Sequence, residues 1–323
     1  MDSKFYINGK FLLQKITGVQ RFALEVSVEL IKLNPEIKII VPNGFVNNYA
    51  EFNDCLIYYG DKRGVVWEQF DLKRYAKKEN AVLINLCNSA PIFYLKNIVT
   101  IHDLGVYKNT SWYSRKFAFW YKLMTPRIIK SAKKIITVSE TVKAEIVNQF
   151  RVEKEDIVVV YNGVSATFTP DSENNNKKNK ILHVGTISDR KNIKFIVDSF
   201  KAANTNDYQL IFCGSLDSNL KNSIQDQPAD NIQWFFNCSD EELNSHYCSS
   251  SYIICASHYE GFGIPVIEGI ANSCKPILSN ILVFKELFGA VALFFSPNNQ
   301  SDLVSLFEEV TLHPQLIDNS LRL

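Results

Sequence analysis

No run of uncharged apolar residues in this chain of 323 approaches the ~18 needed to span a bilayer. The opening MDSKFYINGKF carries no apolar segment behind a basic one, so it does not read as an export signal. A cytoplasmic protein is expected. Seven cysteines, at 55, 87, 213, 238, 248, 255 and 274, form no C-x-x-C pair. Several lie in apolar runs such as LIFCG and YIICAS and read as reduced core residues. Asp-x-Asp triplets are missing too, and the histidines at 102, 183, 246, 258 and 313 show no ligand spacing, so no metal site or cofactor is expected. Without an RNP, helix-turn-helix or zinc-finger pattern, nucleic acid is not an expected partner. No internal repeat at a fixed period is present.

What is there is the profile of a soluble globular protein, 46% hydrophobic and 21% charged, long enough for two domains with real cores. The net charge of +1 conceals two unlike halves. Residues 1–165 carry 24 basic against 16 acidic side chains, and residues 166–323 carry 11 against 18. A basic half favours anionic partners such as lipid headgroups or lipid diphosphates. β-branched runs (IKIIVP, AVLINL, NIVTIHDL, KIITVS, then KILHVG, YQLIFCG, SYIICAS) alternate with helical patterns, which predicts βα units around parallel sheets. The polar stretch NGVSATFTPDSENNNKKNK reads as a linker. The expected architecture is α/β: two Rossmann-like domains, 1–165 and 166–323, with parallel sheets facing across a cleft. Ligands then belong at the carboxyl ends of the strands.

Four stretches at predicted strand ends carry chemistry. In CASHYEGFGIPVIEG the leading run is strand-like, and Pro265 suits the first turn of a helix, where its missing N–H is not needed. Glu260 then stands in a loop and Glu268 about one turn into the helix. Gly261 and Gly263 let a ligand approach the backbone, and the N–H groups of a helix start favour an anion. A carboxylate beside a phosphate repels it, so these two are better placed accepting from the vicinal hydroxyls of a sugar. HVGTISDRKN puts Arg190 and Lys191 after a strand and before a helix, where a diphosphate would find two cations, and the turn at Gly185 and Thr186 gives it room. Alone, such a pair is usually a solvated surface; beside the glutamate loop the balance reverses. KITGVQRFALEV places Gly18 at a helix mouth, but it is neither a Walker sequence nor a G-x-G-x-x-G and alone favours a simple helix-starting turn. TIHDLG sets His102 and Asp103 at a strand end. A lone histidine there is more often structural, yet this neighbouring pair could contact a sugar or assist proton movement.

Taken in this order, the motifs resemble glycosyltransferase family 4, the retaining two-domain GT-B enzymes that include bacterial mannosyltransferases of surface-polysaccharide assembly. The likeness runs from about Phe5 to about Leu312. Its most specific element is the E-x7-E pattern from Glu260 to Glu268; VGT followed by RKN, and TGVQR, are of medium strength. The resemblance implies that Glu268 binds the donor ribose and Glu260 the transferred hexose. It implies that backbone groups of Gly261, Phe262, Gly263 and Ile264 hold sugar and phosphate, and that Arg190 and Lys191 hold the diphosphate. Gly18 and its neighbours would close over the phosphates, His102 with Asp103 would lie near the transferred sugar, and Gln20, Arg21 and Asn85 on the acceptor side. The stretch FFNCSDEEL, with Phe236 and Asn237, takes the place of the nucleobase site. GVVWEQF and NLCNSAP, with Trp67, Glu68 and Asn85, look like the mannosyl branch. Family members commonly continue into helices that cross back onto the first domain, whereas this sequence stops at Leu323, so a short form or a missing closing helix is expected.

The expected reaction is a metal-independent, retaining transfer of a hexose, with GDP-mannose the expected donor, to a lipid-linked oligosaccharide. The leaving diphosphate would be stabilised by cations and helix termini during a front-face substitution. Two close carboxylates also suit a glycoside hydrolase, but that leaves Arg190 and Lys191 without a role. A non-catalytic nucleotide-sugar-binding or scaffolding relative and a sugar-nucleotide 2-epimerase are the remaining alternatives. Residues 111–134, SWYSRKFAFWYKLMTPRIIKSAKK, mix aromatics with cations on a helix that Pro126 should interrupt. Such a helix could lie on an anionic membrane at the cytoplasmic face; equally, its aromatics could be core and its cations a wet face.

Overall fold

The computed structural model describes residues 4–168, 177–205, 207–215 and 230–312. The middle of the expected linker, His313 and the end at Leu323 lie outside these residues. The chain divides into two compact units, Met1–Asn162 and Gly163–Leu323.

In the first unit the β-branched runs become short strands, all paired in parallel: β1 (Phe5–Asn8), β2 (Lys38–Val41), β3 (Leu56–Tyr58), β4 (Val82–Asn85), β5 (Asn97–Ile101), β6 (Ala132–Thr137) and β7 (Ile157–Val159). Their order across the sheet is β3-β2-β1-β4-β5-β6-β7. β4 is buried at every position, as a strand covered on both faces requires. The second unit repeats the plan with β8 (Lys178–Val184), β9 (Gln209–Gly214), β10 (Ile232–Phe236), β11 (Ser250–Cys255), β12 (Lys275–Ser279) and β13 (Leu293–Phe295), in the order β10-β9-β8-β11-β12-β13 and again parallel. In each sheet the winding direction reverses once, between β1 and β4 and between β8 and β11. Crevices at such reversals, beyond the strands' carboxyl ends, are where open α/β sheets bind ligands.

Packing decides several side chains. Trp234 stacks on buried Phe212, ring centroids 4.1 Å apart and planes 9° from parallel, so it belongs to the core. All seven cysteines are free thiols, with Cys55, Cys213, Cys255 and Cys274 buried. The basic aromatic helix departs from expectation, for Arg115–Ser131 runs through Pro126 without a break. Proline deprives the carbonyl four residues earlier of its helical donor; that carbonyl, of Lys122, accepts from the Tyr107 hydroxyl at 3.4 Å. Of the aromatics on this helix Phe117, Phe119 and Trp120 are exposed, Phe119 at 70%, whereas Tyr121 is half-buried and donates its hydroxyl to the Asp103 carbonyl at 3.0 Å. Among the described residues no helix is long and apolar enough to cross a membrane.

Candidate functional site

At the winding reversal of the second sheet, β8 is followed by Gly185, whose φ of +144° favours a residue without Cβ. The chain then makes a tight turn, Asp189–Lys191, passes Asn192 in the left-handed region and enters the helix Ile193–Ala202. Arg190 and Lys191 therefore stand at the mouth of this helix, as their spacing suggested. On the other side of the reversal, β11 delivers Ser257 and the glutamate loop. The two segments are tied by the His258 N–H, which donates to the Arg190 carbonyl at 3.0 Å.

Glu260 closes the arrangement. Its Oε1 accepts from Lys191 Nζ at 2.5 Å and from Ser257 Oγ at 2.6 Å, and its Oε2 from Arg190 Nη1 at 3.0 Å. The same guanidinium nitrogen donates to the Tyr259 carbonyl at 2.8 Å. Lys191 and Glu260 are both buried. Burial pushes the Glu260 carboxyl up, but Arg190, Lys191 and the Ser257 hydroxyl outweigh it and hold the group at about 2. The carboxylate is thus ionised throughout the neutral range. Sequence reasoning set the acid and the cations opposite each other around a ligand; here they contact one another directly. Ser257 was overlooked, although a serine three positions before a glutamate is a pattern known from helix starts.

Glu268, buried in the helix Ile264–Ala271, accepts from the Tyr247 hydroxyl at 2.7 Å. Tyr247 belongs to the helix Asp240–Ser249, which a capping box between Ser239 and Glu242 starts. No local pattern in the sequence announces this pairing across twenty-one positions. Pro265 sits in the first helical turn as expected. Gly263 has a requirement of its own: its φ is +115°, and a Cβ there would meet the Phe284 ring at 2.9 Å. Phe262 is buried and Gly261 lies beside it, so the loop faces inward over much of its length. At the end of β10, Phe236 is 39% exposed and Asn237 takes a left-handed turn, while Thr186 meets Ser215 at 3.2 Å, hydroxyl to hydroxyl.

His183, read from its setting as core, is wholly buried, and its Nδ1 lies 3.1 Å from the Ile254 carbonyl, so that nitrogen carries the proton. Its Nε2 makes no hydrogen bond among the described residues. A Cβ built on Gly185 would lie 3.9 Å from that nitrogen and 3.8 Å from Lys191 Nζ. Burial, then the Lys191 charge, lower this histidine to about 4.

In the first unit the reversal between β1 and β4 is filled by a buried polar network. Asn8 Nδ2 donates to Glu68 Oε1 at 2.8 Å and to Asn85 Oδ1 at 3.0 Å, and Lys10 Nζ pairs with Glu68 at 2.7 Å. Asn85 is 1% exposed and spends its amide on Asn97 and the Ile98 carbonyl, each at 3.1 Å. Its polar atoms are thus engaged within this network. His102, at the end of β5, is buried; its Nε2 donates to the Leu86 carbonyl at 2.8 Å and its ring meets Phe22 edge-on at 4.7 Å. Burial lowers its pKa, and the Nε2–H tautomer leaves Nδ1 as an acceptor. Phe22 lies on the helix Gly18–Leu33, so the helix mouth and His102 do come together. Gln20 and Arg21 lie in the first turn of that helix; the Gln20 side chain engages Thr17 and Gln14. Asp103 Oδ1 accepts from the Gly105 N–H at 2.9 Å, holding the turn that follows.

Comparison with known proteins agrees with this layout. The family described as Glycosyltransferase Family 4 matches residues 16–168, and that described as Glycosyl transferases group 1 matches residues 165–319. O-antigen chain mannosyltransferase RfbU of Salmonella typhimurium is 29% identical over 223 residues, covering 68% of this chain and 62% of its own length. A GDP-mannose:cellobiosyl-diphosphopolyprenol alpha-mannosyltransferase of Komagataeibacter xylinus is 27% identical over 56% of this chain and 47% of its own. The match thus spans about half to three fifths of these relatives. WaaG, a glycosyltransferase involved in lipopolysaccharide biosynthesis, superposes with a TM-score of 0.75 at 12% identity, over 97% of this chain and 91% of its own. With two parallel-sheet units of the GT-B fold and family matches that together run from residue 16 to residue 319, the chain belongs to glycosyltransferase family 4.

Proposed function

We propose that the protein is a retaining hexosyltransferase that moves mannose from GDP-mannose to a lipid-linked oligosaccharide in the assembly of a bacterial surface polysaccharide, without a metal ion. In this reading the second unit binds the donor and the first takes the acceptor. The observation that carries it is the contact of half-buried Arg190 and buried Lys191 with buried Glu260 at the winding reversal of the second sheet. Two cations against one carboxylate leave a positive charge beside a helix start. A leaving diphosphate complements that charge increasingly as its own negative charge grows in the transition state. Glu260, kept ionised by its partners, accepts from a sugar hydroxyl, and Glu268, oriented by Tyr247, from ribose hydroxyls. His102, neutral, offers Nδ1 to a hydroxyl near the reacting sugar. Mannose and the lipid-linked acceptor are carried over from the names of the two mannosyltransferase relatives.

The helix Arg115–Ser131 supports a place on the cytoplasmic face of the membrane. It exposes Phe117, Phe119 and Trp120 beside Arg115, Lys116, Lys122 and Arg127, and aromatics among cations suit an anionic interface. The protein should co-sediment with anionic vesicles at low salt, and Phe119→Ala should weaken that binding; recovery in the supernatant contradicts the membrane placement.

Transfer itself is tested by incubating the protein with GDP-mannose and membrane-extracted lipid-linked glycans, then assigning the product anomer by NMR. An α-mannosyl product formed without added Mg²⁺ or Mn²⁺ is expected. Inversion, or turnover that EDTA abolishes and Mg²⁺ or Mn²⁺ restores, contradicts the mechanism.

A further inference from the structure

Away from the ion group, three soft ligands converge at the carboxyl ends of β9 and β10. Cys213 is the penultimate residue of β9, Cys238 follows β10 by two positions, and His246 lies on the helix Asp240–Ser249. One ligand atom from each lies within 4.8 Å of the other two. Around one tetrahedral zinc with Zn–S of ~2.3 Å, two sulfurs stand about 3.8 Å apart, so shifts of about an ångström, within the reach of side-chain rotation, would close the set. Sequence spacing could not show this group, because the residues come from three separate elements.

We propose that Cys213, Cys238 and His246 form a binding site for Zn²⁺ or a similar borderline-soft divalent cation, with water as the fourth ligand. Two thiolates and a neutral imidazole balance the dication, which suits a site that is closed on one side by buried Cys213 and open on the other at Cys238 and His246. The charged groups acting on the three are Lys180, which favours the Cys213 thiolate and the neutral form of His246, and Glu242, which favours the charged form of His246. Burial, followed by the neighbouring Cys238, disfavours that thiolate in the free protein; a coordinated cation reverses the balance, since a metal-bound thiol loses its proton.

The site is a brace, not a reaction centre. His246 immediately precedes Tyr247, whose hydroxyl holds Glu268 at 2.7 Å, and Cys238 adjoins Asn237 in the loop that leads into the same helix. Metal bound here pins that helix to the ends of β9 and β10 and fixes the position of Tyr247.

The test uses the reduced, metal-free full chain titrated anaerobically with Co²⁺ and then Zn²⁺. One equivalent of Co²⁺ should give a thiolate-to-cobalt absorption band that Zn²⁺ displaces, and Zn²⁺ should raise the melting temperature. Both responses should vanish in Cys238→Ser and in His246→Gln, two partly exposed positions, and persist in Cys248→Ser on the same helix. Substoichiometric uptake by the native chain overturns the assignment. So does a band that survives Cys238→Ser or His246→Gln.

Discussion

Glu260 shows how much one carboxylate organises. It neutralises part of the charge of buried Lys191 and half-buried Arg190 and is itself held ionised by that pair. Removing one partner of such a group strands the other charges away from water, at a cost of about 3–5 kcal/mol. Glu260→Gln should therefore lower both turnover, by orders of magnitude, and the melting temperature; a variant as stable as the parent means that water reaches Lys191 freely. His183 makes a second prediction. It titrates at about 4 when folded against an ordinary value of 6.5, so protons favour the unfolded chain between those values. Its contribution to stability is complete above pH 6.5 and is lost as the pH falls toward 4, by roughly 3 kcal/mol at the limit. Denaturant melts at a series of pH values check this, and His183→Leu should flatten the slope over that window.

At the scale of elements, the strand ends were legible because β-branched runs stop at Gly, Asp, Asn and His, and the helix start after the glutamate loop because Pro265 carries its own signal. What the sequence could not reveal is which ends meet. Arg190 and Glu260 stand 70 positions apart, and only the strand order brings β8 beside β11. The types needed for diphosphate and sugar were therefore readable, whereas their direct pairing was not. At Gly263 the positive φ and the nearby Phe284 ring were not legible in the sequence. Pro126 was misread as a break because the helix's substitute donor, Tyr107, lies outside it. Gly214 went unnoticed, though a Cβ there would come within 1.9 Å of the Gly185 carbonyl oxygen. Since the obstacle is backbone, Gly214→Ala should destabilise the second unit by about 1–3 kcal/mol and impair donor binding through the displaced Gly185 turn. Unchanged thermal stability and donor affinity in that variant contradict the close approach of the two strand ends.

For the whole molecule, two parallel sheets with a winding reversal in each carry two unlike charge balances, a basic first half and an acidic second half in which Arg190 and Lys191 meet Glu260; an excess of basic charge in the first half is what the proposed anionic lipid acceptor calls for. The α/β plan was readable from alternation alone; the donor and acceptor assignments rest on which reversal holds paired cations and which holds a neutralised polar network. Calorimetric titration with GDP-mannose, on the native chain and on Lys191→Ala shown by circular dichroism to be folded, tests this most directly. Saturable one-to-one binding that weakens at least about tenfold in the variant is the result the account predicts. Equal affinity in the two proteins, or no heat with GDP-, UDP-, dTDP- or ADP-sugars, would contradict it.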